Sequence, residues 1–494
     1  MTVRPVHMSQ IEAVRITNQI GLNFEYEYPE QFVLSYDSTL DLPGWDYFKL
    51  GGMNLWRAPD ARTKRLYDTQ GIPLGWLLGE AVDGDGQYLS DPVTVPVSDT
   101  SDNASKVVEE WVEALAGRYA VILLNDNQPR LYQDPIGDFS VVWDPETGIV
   151  ASSVLLALTR QMEWNEDFDR QGVLDGRVHF SLGHTADARV QRMLPNHYLD
   201  LTTWTLKRHW PRSDTEFSSN DADLGKQVDA ISERLTSIMR ALVTNTSCLL
   251  PISGGRDSRN LTGVLGPAAE SLVAGFAIKF HKMSRIDTEI GAAIAKRIDV
   301  PFLDLPSVKS TRPQRLRYYR NTGYADGGIT LKLLGSHLAL PPGNLVLRGN
   351  AMELLRANQW NNGTIWRDGE VNTAFGVRRL LIVRATDAEM ARYAPEYEAW
   401  ADTIPENARK RQLDLAFCEH LLPNTLGIRH FGQTQSFFIN PFSCRRLIHL
   451  AMQISPELRA EDHPNQMLLE RNCAHLSDIP FEGEVATGAV IPDA

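Results

Sequence analysis

SCLLPISGGRDS, residues 247–258, decides how the second half of this 494-residue chain is read. Ser247–Ile252 is a short apolar run of strand length, and Ser253-Gly254-Gly255-Arg256-Asp257-Ser258 is a glycine-containing turn leading into a helix. Two glycines let the backbone approach an oxyanion, N–H groups at the helix start point at it, and Ser253 and Ser258 add hydroxyl donors. The segment therefore reads as a phosphate cradle. No GxxxxGK sequence occurs, so it is not a Walker loop, and Asp257 inside such a cradle makes sense if a divalent cation bridges it to phosphate oxygens.

Working outward, Leu272–Phe280 predicts a second strand, Asp287–Ile298 an amphipathic helix opened by an Asp cap, and Pro301–Leu303 a third strand. Strand, helix, strand, helix, strand implies an α/β, doubly wound parallel sheet with ligands at the carboxyl ends of its strands. Upstream, VDAISERLTSIMRAL spaces Val228, Ile231, Leu235, Ile238 and Leu242 by three and four, a helical period. Before it, residues 212–225 (RSDTEFSSNDADLG) lack any apolar period and read as a linker. The front half alternates short runs such as Tyr119–Leu124, Phe139–Trp143 and Gly148–Val154 with turn clusters, and Trp204–Trp210 closes it, the pattern of hairpins in packed sheets. The expected organisation is a β-rich domain over 1–211, a linker over 212–225 and an α/β domain over 226–494.

Composition limits the partners. Lys plus Arg is 49 against 62 Asp plus Glu, a formal charge of -13, which disfavours unaided binding to nucleic acid or an anionic membrane. No signal-peptide h-region and no run of 18 apolar residues occurs, so the cytoplasm is the expected location. Cys248, Cys418, Cys444 and Cys473 form no CxxC pair, which argues against a disulfide scaffold or structural zinc; Cys418 and Cys444 read as small core hydrophobes. His179 and His184 lack acidic or Cys partners at ligand spacing and read as a surface loop, and tryptophans such as Trp76 and Trp360 as anchors of hairpins and of the domain interface.

SGGRDS resembles the SGGxDS pyrophosphate loop of the ATP pyrophosphatase superfamily, and its surroundings are most similar to the synthetase domain of asparagine synthetase, β-lactam synthetases and lasso-peptide cyclases. Asp287-Thr288-Glu289, Val346 through Glu353, and Phe438-Ile439-Asn440-Pro441-Phe442 resemble further landmarks of that family in the same order. In the front half, Gly117-Arg118-Tyr119-Ala120, Asp134-Pro135-Ile136-Gly137, Ala151-Ser152-Ser153 and Thr185 through Pro195 resemble its N-terminal-nucleophile (Ntn-type) glutaminase domain, an α+β β-sandwich. The likeness spans roughly residues 110–480, and the first hundred residues match no known pattern.

The resemblance implies an ATP-dependent, AMP-forming carbon–nitrogen ligase. Such an enzyme adenylates a small-molecule or peptide carboxylate and joins it to ammonia or a substrate amine. It implies ATP and Mg2+ as cofactors, with Ile252, Ser253, Gly254, Gly255, Asp257, Ser258 and Gly349 at the nucleotide, and Asp257 and Glu353 as metal ligands. It leaves room for a homodimer. Glu353 stands where most of the family has Asp, and Asn350 where relatives carry Glu or Tyr; an amide cannot act as a general base. The family's late lysine has no counterpart, because the last lysine is Lys410, which makes Arg471 and then Arg256 the candidate catalytic cations. Glutaminase activity needs Cys at the first position after Met removal, where this chain has Thr2, so the front half is expected to be catalytically silent as a glutaminase. The rival expectation is an inactive nucleotide-binding scaffold of the same fold.

Overall fold

A computed structural model describes residues 9–97, 104–124, 128–217, 223–325, 327–360, 373–381 and 386–491. Thr2 and part of the expected linker lie outside them.

The front half is built on two mainly antiparallel sheets. One has seven strands, in the order Thr205–Arg208, His197–Asp200, Arg130–Gln133, Ala116–Leu123, Pro73–Val82, Thr63–Tyr67 and Val93–Thr94; the other has six, running from Gln191–Arg192 through Val142–Asp144, Ile149–Ala151, Phe32–Ser35 and Met53–Arg57 to Asp46–Leu50. Both sheets are apolar on both faces, so each must be covered twice. Phe32, Leu34, Met53 and Leu55 of the smaller sheet share a buried cluster with Trp76, Leu78, Ala120 and Ile122 of the larger. The alternate residues point outward: Leu77, Tyr119 and Val121 pack under Val108 and Val112 of the helix Ala104–Ala114, while Val33 and Trp56 pack under Ala13 and Val14 of the helix Glu12–Gln19. The result is four layers, helix, sheet, sheet, helix.

The second half carries a five-stranded sheet in which every pairing is parallel, in the order Phe302–Pro306, Ala274–Lys279, Cys248–Pro251, Leu345–Leu347, Phe437–Ile439. Its strands are short and largely apolar because helices cover both faces. Strand order runs outward in one direction up to Cys248–Pro251 and in the other from Leu345–Leu347. The carboxyl ends of those two neighbours therefore flank a topological switch point, where open α/β sheets form a crevice. The helix preceding the first strand is longer than its periodicity suggested, Leu224–Asn245, so it takes in the last residues expected as linker. The helix after the second strand also differs: it is Lys282–Arg297, capped by the His281 ring accepting from Ser284 N–H, and Asp287 sits inside it. Asp287 is not a cap because its carboxylate is used elsewhere, as described below.

The halves are joined through buried polar contacts. Asp138 Oδ2 accepts from the Asn440 side-chain amide at 2.9 Å, and His430 Nδ1 lies 2.9 Å from Asp138 Oδ1. Arg445, 1% exposed, donates to Asn196 Oδ1 and to Gln133 O. A single apolar cluster runs from Trp76 and Ile122 to Phe437 and Ile439, so the two halves share a core. All four cysteines are buried and free, Cys418 and Cys444 as expected of core residues. His179 departs from expectation: it is buried, with Nε2 2.9 Å from Leu380 O, while His184 pairs with Glu396. No helix among the described residues is long and apolar enough to cross a membrane.

Burial pushes His179, His337 and His420 down to about 3 and His197 and His430 to about 4. Unfolded histidine titrates near 6.5, so below that pH the unfolded chain binds protons that the folded one refuses, and stability falls as pH falls. Each such histidine is expected to remove roughly 1.4 kcal/mol by pH 5.5. Glu30 and Glu113, raised to about 7 by burial, and Asp134, also raised by burial, oppose this but are fewer than the five histidines. The melting temperature is expected to be lower at pH 5.5 than at pH 7.5; an unchanged or higher value would contradict the neutral buried state of these rings.

Candidate active site

The turn after Cys248–Pro251 opens directly into the helix Arg256–Leu265. Its two hydroxyls brace it: Ser253 Oγ and Ser258 Oγ are 3.0 Å apart, and Gly255 N–H donates to Ser253 Oγ. Gly254 is required by close packing, since a Cβ there would come within 2.8 Å of Ile290 Cδ1 and 3.0 Å of the Glu482 backbone nitrogen. Gly254 N–H donates to Asp287 Oδ1 at 2.9 Å, so in this state a carboxylate takes one of the turn's anion-binding donors.

A pocket of about 360 Å³ lies over this turn at the switch point. On one side it is walled by Ile252, Ser253, Gly255, Arg256, Asp257 and Ser258, and on the other by Arg348, Gly349 and Asn350, which follow Leu345–Leu347. Phe276, Ile278, Phe280 and Leu333 supply an apolar wall beyond the second strand. A Cβ on Gly349 would stand 3.0 Å from Asp257 Cβ, so glycine there lets the two loops approach without displacing Asp257.

Charge is concentrated at one end. Arg356 donates to Asp257 Oδ2 at 2.8 Å, while Asp257 Oδ1 is buried without a hydrogen-bond partner among the described residues. Glu353 does not line the pocket but stands behind Asp257, and its Oε2 is also buried and unpartnered. Burial first, and then the Asp257 charge, hold the Glu353 carboxyl above its usual range, while burial raises Asp257 despite Arg356. Two buried carboxylate oxygens without donors are costly unless something positive reaches them. Hard oxygens of this kind suit magnesium, which commonly takes one or two carboxylates and completes its shell with water and phosphate. No cluster of three or more metal-ligating side chains exists among the described residues, so Asp257 and Glu353 would leave most of the ion's shell to water and phosphate.

The sequence-derived candidates separate into two groups. Ile252, Ser253, Gly254, Gly255, Asp257, Ser258, Gly349 and Glu353 converge on the pocket or its immediate backing. Arg256 lies at the pocket but is 47% exposed and paired with Asp462 at 2.8 Å. Arg471 is not there: its guanidinium bonds to Asp229 and to Gly225 O on the long helix before the sheet. It cannot serve phosphates in this arrangement, because its helix, His463–Asn472, turns that face toward Leu224–Asn245.

Two arginines that the sequence reading did not single out line the pocket. Arg356 is one. Arg348 is the other: it lines the pocket, sits over the Phe438 ring at 5.7 Å, and has no side-chain hydrogen bond or ion pair among the described residues. Burial lowers its pKa, the mark of a cation short of solvation. The available signal was their position eight residues apart around Glu353 in RGNAMELLR, just past a strand of the sheet. No family model and no curated protein matches the chain.

Proposed function

We propose that the protein is an ATP-dependent, AMP-forming carbon–nitrogen ligase, with a front domain of the glutaminase-like, Ntn type that supplies no ammonia. The observation that carries this reading is the SGGRDS turn at the switch point, with a pair of buried, donor-less carboxylate oxygens beside it. The layering of the front half supports its part of the reading.

In this account the triphosphate lies over Ser253–Ser258, where the helix N-terminus and the hydroxyls meet its oxygens. The apolar wall with Phe280 receives the nucleobase. Bound at Asp257 and Glu353, magnesium would neutralise phosphate charge and polarise the phosphoryl oxygens. A carboxylate oxygen of the substrate attacks the α-phosphorus, pyrophosphate leaves, and the amine then displaces AMP from the acyl carbon. Negative charge grows on the departing oxygen, and the Arg348 guanidinium, which feels Asp138 and Glu353 but makes no ion pair among the described residues, is the wall cation placed to meet it. Substrates are a small-molecule or peptide carboxylate and an amine or ammonia, and the setting is cytoplasmic.

The test is product analysis with purified protein, ATP, magnesium and a panel of carboxylates, with ammonium or amines as acceptor. AMP and pyrophosphate are expected in equal amounts, ammonium or an amine is expected to be used directly, and glutamine is expected to release no glutamate. Formation of ADP would contradict the reaction class, and glutamate release lost in Thr2→Ala would contradict the silent front domain.

A further inference from the structure

Met352–Arg356 is a single turn of 3-10 helix, and both of its flanking residues are left-handed: φ is 67° at Ala351 and 48° at Ala357. Side-chain-bearing residues rarely adopt that region, and they do so where surrounding structure imposes it, often at functional sites. Arg459 supplies one such restraint, donating to Leu354 O at 2.8 Å. The turn presents Glu353 and Arg356 together against Asp257 from the neighbouring loop.

Asp257, Glu353 and Arg356 meet there, with the Arg256–Asp462 pair acting on Asp257 and Arg348 acting on Glu353 from around them. Arg356 reaches one of the four carboxylate oxygens, Asp257 Oδ2, and its own Nε is buried with no acceptor among the described residues. Asp257 Oδ1 and Glu353 Oε2 stay without donors, so the guanidinium neutralises the pair incompletely and is itself incompletely satisfied. A divalent cation drawn to this acidic pair would repel a guanidinium held 2.8 Å from Asp257 Oδ2. The two positive groups compete for one acidic pair, and the loser needs another anion. The pocket wall to which Arg356 belongs also contains the phosphate-cradle turn.

We propose that Arg356 is the resident counter-ion of the Asp257–Glu353 pair, excluding a divalent cation from the empty site and passing to the phosphate oxygens when metal and nucleotide enter together. The second half of this rests on the ligase reading, and the first half does not. Metal would then bind strongly only when it arrives with an anion able to take Arg356. This couples the ion to the nucleotide with no movement larger than a side-chain rotation.

The experiment titrates Mn2+ alone into the full chain, followed by water-proton relaxation, for wild type, Arg356→Gln, Arg356→Lys and Arg356→Gln combined with Glu353→Gln. Thermal melting confirms that each is folded. Arg356→Gln is expected to bind Mn2+ at least fivefold more tightly than wild type, Arg356→Lys is expected to resemble wild type, and adding Glu353→Gln is expected to erase the gain. In a second titration, ATP with Mn2+ is expected to bind Arg356→Gln at least fivefold more weakly than wild type. Mn2+ affinity that is unchanged or weaker in Arg356→Gln overturns the counter-ion role. Unchanged ATP affinity overturns the transfer to phosphate. Wild type that binds no nucleotide overturns that transfer and the ligase reading, while the Mn2+ series still decides the counter-ion role.

Discussion

Asp257→Asn is expected to abolish magnesium-dependent ATP binding, lowering affinity a hundredfold or more in calorimetric titration while leaving the fold intact. The substitution keeps the size of the side chain and removes the charge that a hard cation requires. It also frees Arg356 from its carboxylate, so residual binding of ATP without metal is expected to survive or to strengthen. Gly349 leaves no spare room behind the side chain, which is why Asn is preferred to a larger residue for the test. Unchanged affinity in the presence of magnesium would remove Asp257 from the metal and with it the reading of the turn as a metal-assisted phosphate cradle.

The largest effect on stability is expected at Arg459 and Asp414. Arg459 is fully buried and Asp414 is 1% exposed, and the guanidinium grips the carboxylate through two bonds of 3.0 and 2.8 Å. Its other donors go to Ile454 O and Leu354 O. Asp414→Ala would leave a buried guanidinium without its counter-charge, for which roughly 3–5 kcal/mol is the usual cost. Because Leu354 follows Glu353 in the 3-10 turn, Arg459→Met is expected to weaken Mn2+ binding in the Arg356→Gln background as well as lowering the melting temperature. A loss of less than about 1 kcal/mol in Asp414→Ala by denaturant unfolding would show that water reaches this pair.

Much of the second half was legible because its information is local. Strand-length apolar runs, the turn at Ser253–Ser258 and the helical spacing of Val228 through Leu242 lie in continuous sequence, and the structure forms each near its expected limits. Asp287 shows where local reasoning fails. An acid ahead of an amphipathic run looks like a cap, but His281 and Ser284 cap the helix earlier, and the Asp287 carboxylate reaches Gly254 in the turn after the neighbouring strand instead. Arg471 shows the same limit from the other side. It lies on the helix His463–Asn472, and helical rotation relative to the core, set by packing against Leu224–Asn245, decides which way a side chain faces. Arg348 and Arg356 could not be selected from arginine content, and only the fold shows that both line the pocket, Arg356 bonded to Asp257 and Arg348 without an ion pair among the described residues. The front half was legible as paired sheets through its alternation, but not the two helices that cover them, because Glu12–Gln19 lies in the stretch that matched no known pattern.

The central claim, that the pocket adenylates a carboxylate and does not merely hold a nucleotide, is tested most directly by exchange of labelled pyrophosphate into ATP across a panel of carboxylates with the full-length protein. The account predicts exchange that depends on magnesium and on one class of carboxylate, reduced on the order of a hundredfold by Arg348→Ala and unaffected by Arg471→Ala. Absence of exchange with every carboxylate, in protein that still binds ATP with magnesium, would contradict it and leave a nucleotide-binding scaffold as the function of this fold.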